Sequence, residues 1–179
     1  MVNIRHEKPP DIAAREALLD DAFGTGRKAK TAERLREGRL PADDLSFVAA
    51  ERDRVVGTVR LWHVAPGRGR PALLLGPLAV AAADRGRGIG SALVRRALRE
   101  ARRLGHGAVL LVGDAPYYGR FGFSAEKTGA LRLPGPYERH RLLACELVPG
   151  ALDGARGLVS ATGPMVPKPA AASTLPRAA

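Results

Sequence analysis

Cysteine is nearly absent. Cys145 stands alone in 179 residues, so no disulfide can form within the chain, and the composition suits a reducing compartment, with a cytoplasmic location expected. Long hydrophobic runs are missing as well. The longest, 71–83, is too short to cross a bilayer and is interrupted by Gly76 and Pro77, so no membrane partner is expected. The first residues are charged throughout and contain no apolar core of leader length, so secretion is not indicated. No histidine and cysteine spacing suits zinc, and no metal is expected. Lysine is scarce: 24 of the 29 basic residues are arginine. The formal charge of +11 and pI near 10.9 invite a polyanionic partner. However, arginine bias together with abundant Ala, Gly and Pro also follows from a GC-rich coding sequence, so a nucleic-acid partner is not expected.

The length fits one domain with a full hydrophobic core. Its most informative stretch begins with a short apolar run, 73–80, whose length suits a buried strand. From Ile89 the period becomes helical: Ile89, Leu93, Ala97, Ala101 and Leu104 form a stripe, with Arg95, Arg96, Arg99, Arg102 and Arg103 on other faces. Between them lies Arg85-Gly86-Arg87-Gly88-Ile89-Gly90-Ser91. Glycines let backbone approach a ligand, and the first amides of a helix have no partner within it. With the positive end of the helix dipole, they suit a phosphate or pyrophosphate.

Two phosphate-binding patterns fit poorly. A Walker A loop needs lysine before the hydroxyl, and Gly90-Ser91 has none. A dinucleotide fingerprint needs its glycines tight against the strand end, whereas residues 81–85 intervene here, even though Asp114 follows the next strand near where a ribose-binding acid would sit. Residues 85–90 instead fit Gln/Arg-x-x-Gly-x-Gly/Ala, which resembles the acetyl-CoA loop of the GNAT family of N-acetyltransferases. A second stretch, 113–123 (GDAPYYGRFGF), strengthens the resemblance. In that family a tyrosine stands five residues before the phenylalanine of a Gly-Phe pair; Tyr118 holds that place before Gly122-Phe123, with Tyr117 as its neighbour. Arg120-Phe121-Gly122-Phe123 approaches a ribonucleoprotein motif but lacks the glycine that should follow the arginine. Asp114 stands where many relatives have asparagine. GPLAV, GRGIGSALV and YYGRFGF are especially similar to the bacterial YhbS-like branch.

The resemblance implies an α/β (α+β) fold: a mixed, mostly antiparallel central sheet with a splayed parallel strand pair, flanked by helices. It implies acetyl-CoA as cosubstrate. Leu78, Ala79 and Val80 would bond the pantetheine arm; Arg85, Arg87, Gly88, Ile89, Gly90 and Ser91 would hold the pyrophosphate, with Asp114 also at the cofactor. The implied reaction is transfer of an acetyl group to the amine of a small molecule or peptide by direct attack. Tyr118 would protonate the leaving thiolate, and an N–H near Val80 would polarise the thioester oxygen. Glu51, His63, Asp114 or a water would take the amine's proton. A non-catalytic acyl-CoA-binding or sensor module is the alternative, with a basic nucleic-acid-binding protein behind it.

Elsewhere the patterns give an edge strand over 2–7, a helix capped by Asp11 and running to Phe23, a short helix from Thr31 to Gly38, and a hairpin of 45–51 with 55–64. Alternation puts Val55, Gly57, Val59, Leu61 and His63 on one face of the second hairpin strand, and Val56, Thr58, Arg60 and Trp62 on the other. Pro77 predicts a bulge or lost pairing. In the family the 24–41 region often walls the acceptor site. Residues 108–112, 130–133 and 142–148 read as strands, and His140 and Cys145 as structural. The catalytic domain is expected over 1–150, followed by an extension, 151–179, without order from about residue 160. A homodimer is allowed.

Overall fold

The computed structural model describes residues 1–68 and 70–169. In chain order these form β1 (Val2–His6), α1 (Ile12–Phe23), β2 (Ser46–Glu51), β3 (Arg54–Pro66), β4 (Ala72–Val80), α2 (Ile89–Arg103), β5 (Ala108–Val112), α3 (Ala115–Tyr118), β6 (Leu131–Arg132), β7 (Leu142–Glu146) and β8 (Gly157–Ala161). The strands build a mixed eight-stranded sheet whose main path is β1-β2-β3-β4-β5-β7, with β8 joining β3 and β6 at one side. This is the mixed, mostly antiparallel architecture expected from the sequence.

Along the main path the pairs are antiparallel except β4 with β5. That parallel pair is short, Leu73↔Val109 and Leu74↔Leu110. From Leu75 to Val80 the β5-facing edge of β4 has no strand partner among the described residues, and the two strands splay. Pro77 lies where the break is needed: it has no N–H to donate, and the β3–β4 register slips between Val59 and Leu61, opposite Gly76 and Pro77. The Gly76 carbonyl accepts a buried hydrogen bond from Trp62 Nε1 at 2.6 Å, which fixes the departing strand to β3.

Helix α2 covers one sheet face with Ile89, Leu93, Val94, Ala97 and Ala101, all buried. Gly57 permits that approach, because a Cβ there would lie 3.0 Å from Leu93 Cδ1 and 3.1 Å from Ile89 Cγ2. Leu104, expected on the stripe, follows the last helical residue and is partly exposed. The core divides as strand alternation dictates, with Leu73, Leu75, Val109 and Leu111 beneath α2 and Ala72, Leu74, Ala108 and Leu110 on the other face.

Strand β3 departs from simple alternation. Ala49 pairs with Gly57 but Ala50 with Val55, leaving Val56 as an extra residue. The bulge turns Val56 into the α2-side core beside Val59 and Leu61 and sends Val55 to the α1-side cluster of Leu18, Leu19 and Ala79. The expected faces are therefore exchanged at these two valines.

Three other expectations are corrected. Asp11 precedes α1 but caps nothing there; its carboxylate accepts from the Lys8 amide at 2.7 Å and pairs with Arg5. The expected helix from Thr31 to Gly38 is a single 3-10 segment, Thr31–Leu35, preceded by another at Thr25–Ala29. Order also continues past residue 160: Ser160 and Ala161 belong to β8, which pairs with Ala65 and Val64 of β3. The reason is that β3 extends beyond the last β2 pair, Ser46↔Arg60, and its free edge takes β8. Residues 170–179 of the expected extension lie outside the described residues.

Much of the arginine is consumed internally. Glu7 binds both Arg15 and Arg60, Glu16 binds Arg15 and Arg27, and Arg27 reaches Asp20 at 2.8 Å. This chain of ion pairs joins β3 to α1 and to the segment that follows α1.

Candidate active site

The glycine loop is held from below. Arg87 bridges Glu51 at 2.9 Å and the buried carboxylate of Asp84, and Asp84 also accepts from Arg54 at 2.9 Å. The hydrogen bonds to Glu51 and then Asp84 raise the Arg87 pKa, and Arg87 in turn lowers that of Glu51. The Arg87 side chain thus anchors the loop to the β2–β3 hairpin. Gly86 and Gly88 have φ of 79° and 76°, the left-handed region that favours glycine; a Cβ at either would meet nothing. The backbone needs the glycines, and the surface above them is open. The first bond of α2 is Ala92 N–H to Gly88 O at 3.0 Å. Among the described residues the N–H groups of Gly88, Ile89, Gly90 and Ser91 donate to no acceptor. Arg85 is exposed beside them, without an ion-pair partner among the described residues.

The splay between β4 and β5 opens a cleft of about 620 Å³. Leu75, Gly76, Pro77 and Leu78 form one wall, with Leu111, Val112, Gly113, Asp114 and Tyr118 facing them. The unpaired edge of β4 leads from this cleft to Val80, whose Cγ2 lies 3.6 Å from the Cβ position of Gly90. One continuous track therefore joins the cleft to the free amides of α2. Ala79 is buried against Leu18 and Leu19.

Tyr118 ends α3 and is held by its ring. It stands edge-on to Tyr117 at 4.9 Å and to Phe123 at 6.0 Å between centroids. Gly113 has no Cβ because one would lie 2.4 Å from Tyr118 Cε2. Burial, then the neighbouring Tyr117, pushes the phenol pKa up to about 12, with Asp114 adding to the rise and Arg141 opposing it. The hydroxyl is therefore protonated at neutral pH. Asp114 N-caps α3 by position, yet its side chain makes no cap bond and accepts no hydrogen bond among the described residues.

A roof closes the other side. Segments Thr25–Ala29 and Thr31–Leu35, with the residue that follows each, contribute Arg27, Lys30, Glu33 and Arg36; the 134–141 loop contributes Tyr137, Glu138 and Arg141. The two are tied together, since Thr31 Oγ1 donates to Pro136 O and Arg34 Nη1 to Pro134 O at 2.6 Å. The region expected to wall an acceptor site does line the cleft.

Comparison with known proteins fits this geometry. The model of the acetyltransferase (GNAT) family matches residues 13–123. The chain belongs to the GNAT family. It is 33% identical over 158 residues to the uncharacterised N-acetyltransferase YhbS of Escherichia coli K12, covering 87% of this chain and 93% of that protein. The crystal structure of E. coli YhbS in complex with CoA superposes with a TM-score of 0.76 over 90% of this chain and 89% of that one. A GNAT family acetyltransferase from Brucella melitensis in complex with acetyl-CoA is 29% identical, with a TM-score of 0.64 over 90% and 96% of the two chains.

Within this GNAT fold, the expected site residues fall along one track. Leu78, Asp114 and Tyr118 line the cleft, while Val80, Arg85, Gly88, Ile89, Gly90 and Ser91 lie at the helix entrance. Two candidate bases fall elsewhere. Glu51 is bound to Arg87 and Arg54 outside the cleft. His63 pairs with Leu73 at the other end of β3 and stacks obliquely on His106 at 5.7 Å. Tyr117, in the sequence only the neighbour of Tyr118, places its hydroxyl 3.5 Å from Ser91 Oγ and 3.0 Å from the Cβ position of Gly90. Arg36, Glu33 and Arg141 also went unremarked, because they reach the cleft from turns distant in sequence that carry no motif. Among the described residues, no His, Cys, Asp and Glu cluster suits a metal, and no helix is long and apolar enough to cross a membrane.

Proposed function

We propose that the protein is an N-acetyltransferase that moves an acetyl group from acetyl-CoA to the amine of an acceptor by direct attack, with no covalent enzyme intermediate. The observation that carries this reading is the single track running from the unpaired amides at the start of α2, along the free edge of β4, to a protonated Tyr118 in the cleft. Relatives crystallised with CoA and acetyl-CoA support it.

Acetyl-CoA would supply the activated acyl group and much of the negative charge. Gly88, Ile89, Gly90 and Ser91 offer backbone N–H groups to its pyrophosphate, where the helix dipole adds to the attraction, and Arg85 offers a free guanidinium. Arg87 acts through its side-chain bridge to Asp84 and Glu51, which holds the loop in shape. Leu78 and Val80 present strand backbone to the pantetheine arm, whereas Ala79, expected to join them, turns its backbone groups towards Thr58 of β3; the N–H of Val80 would polarise a carbonyl as negative charge develops. Holding two reactants side by side supplies much of the acceleration. Tyr118 O–H donates its proton to the leaving sulfur. Of the side chains weighed for the base, Asp114 lines the cleft and is free of hydrogen-bond donors among the described residues, so it takes the amine's proton directly or through water.

The test is thiol release from acetyl-CoA against a panel of amines, peptides and amino acids, with Tyr118→Phe beside the wild type. The reading expects a Tyr118→Phe protein that binds CoA normally and has lost most of its turnover. A non-catalytic acyl-CoA sensor would bind CoA and release no thiol with any acceptor.

A further inference from the structure

Resting on the acetyltransferase reading, we propose that the acceptor carries a carboxylate close to its amine, and that Arg36 is the residue that binds it. Arg36 follows the roof segment Thr31–Leu35 and lines the cleft against Gly76, where a Cβ would lie 2.9 Å from Arg36 Nη2. Its side chain is 11% exposed. A guanidinium has five N–H donors in a planar fork, yet among the described residues Arg36 donates one side-chain hydrogen bond, from Nη1 to Glu33. Nε is buried with no partner. Burial pushes the Arg36 pKa down, against the pull of Glu33. Other arginines of the fold show the contrast: Arg15 and Arg27 are equally buried but each is held by two carboxylates.

A buried cation with most of its donors unmet is costly and is explained when a ligand completes it. The guanidinium lines the cleft, where its remaining terminal N–H donors can meet a carboxylate in charge-assisted hydrogen bonds. A second cation faces the same space, since Arg141 lines the cleft and has no ion-pair partner among the described residues. Glu33 and Asp114 on the same lining suit the ammonium that accompanies the carboxylate. The cleft lining thus carries anions and cations together, complementary to an amino acid or to the carboxyl-terminal residue of a peptide rather than to a simple amine.

The experiment follows the melting temperature of the CoA-loaded protein as each of the twenty amino acids and its amide is added, and then measures thiol release for the best pair. CoA alone must raise the melting temperature first; absence of that shift rejects the acetyltransferase reading and not the acceptor assignment. At least one free acid is expected to stabilise the protein, with its amide about tenfold to a hundredfold weaker, as a charge-assisted pair implies. Arg36→Gln is expected to bring acid and amide to equal affinity while leaving CoA affinity unchanged. Because Arg36→Met alone would strand the Glu33 carboxylate, a purely structural role is tested by Arg36→Met combined with Glu33→Gln: a residue kept for ligand permits a melting temperature at or above that of the Glu33→Gln protein, whereas a structural one lowers it. The assignment is overturned if no free acid stabilises the loaded protein, if the amide matches its acid, if Arg36→Gln keeps the preference or weakens CoA, or if Arg36→Met with Glu33→Gln melts lower than Glu33→Gln alone.

Discussion

At the scale of single residues, Tyr118 carries the most weight. Burial moves its pKa from 10.0 to about 12, so the folded chain keeps a proton that the unfolded chain loses first. That stabilisation is full below about pH 10 and is lost as the pH rises towards 12. Urea denaturation at about pH 9 and about pH 11 is therefore expected to show a larger loss for the wild type than for Tyr118→Phe. In turnover, Tyr118→Phe is expected to lower kcat by about 10²–10⁴-fold with CoA affinity intact, checked by thiol release and calorimetry. Gly113→Ala tests the position of the ring without touching the hydroxyl. Its Cβ would lie 2.4 Å from Tyr118 Cε2, so the variant is expected to cost about 1–3 kcal/mol by denaturant titration and to lose turnover as well. The base is tested by a pair: Asp114→Asn lowers kcat, whereas Glu51→Gln, outside the cleft, leaves the chemical step unchanged in single-turnover measurements.

At the scale of elements, the strand, loop and helix around Gly86 to Ser91 act as one unit. Gly88 at φ 76° meets no neighbour if given a Cβ, so Gly88→Ala is expected to fold, to cost about 1–2 kcal/mol for its left-handed backbone, and to weaken CoA. Leu93→Ala removes the side chain that packs over Gly57 and is expected to cost about 2–5 kcal/mol, with CoA binding kept in whatever remains folded. This unit was legible in the sequence because its signals are local: an apolar run, glycines that require positive φ, and a 3.6-residue stripe. Residues 108–112 were legible for the same reason, a short apolar run between turn residues. The faces of β3 were not. Val55 and Val56 exchange sides because Ala50 pairs with Val55 rather than Val56, a choice made by the partner strand. The roof was legible only in part: the family resemblance pointed to 24–41, but its bond to the 134–141 loop spans 105 residues from Thr31 to Pro136, and only the fold brings Arg36 and Arg141 to one cleft.

At the scale of the whole molecule, the charge and the carboxyl-terminal residues change meaning once the chain is folded. Ion pairs around Glu7, Glu16, Asp84 and Glu100 take up arginines that composition alone leaves free. The remaining basic field favours a polyanionic cofactor. The Pro- and Ala-rich composition from residue 160 hides the end of β8, whose pairing of Ser160 and Ala161 with β3 becomes visible only in three dimensions. A chain ending at residue 150 loses Leu152, Ala155 and Val159 from the core on that face. At about 1.5–3 kcal/mol for each large apolar side chain, against a total of about 5–15 kcal/mol, it is expected to melt far lower than the full chain in calorimetry. The central claim is that the backbone at the start of α2 binds the pyrophosphate of CoA, and titration of ligand-free, folded protein with CoA in an isothermal calorimeter tests it most directly. The account predicts saturable binding of one CoA per chain, weakened in Gly88→Ala and unchanged in Tyr118→Phe; no heat and no affinity for CoA or acetyl-CoA would contradict it.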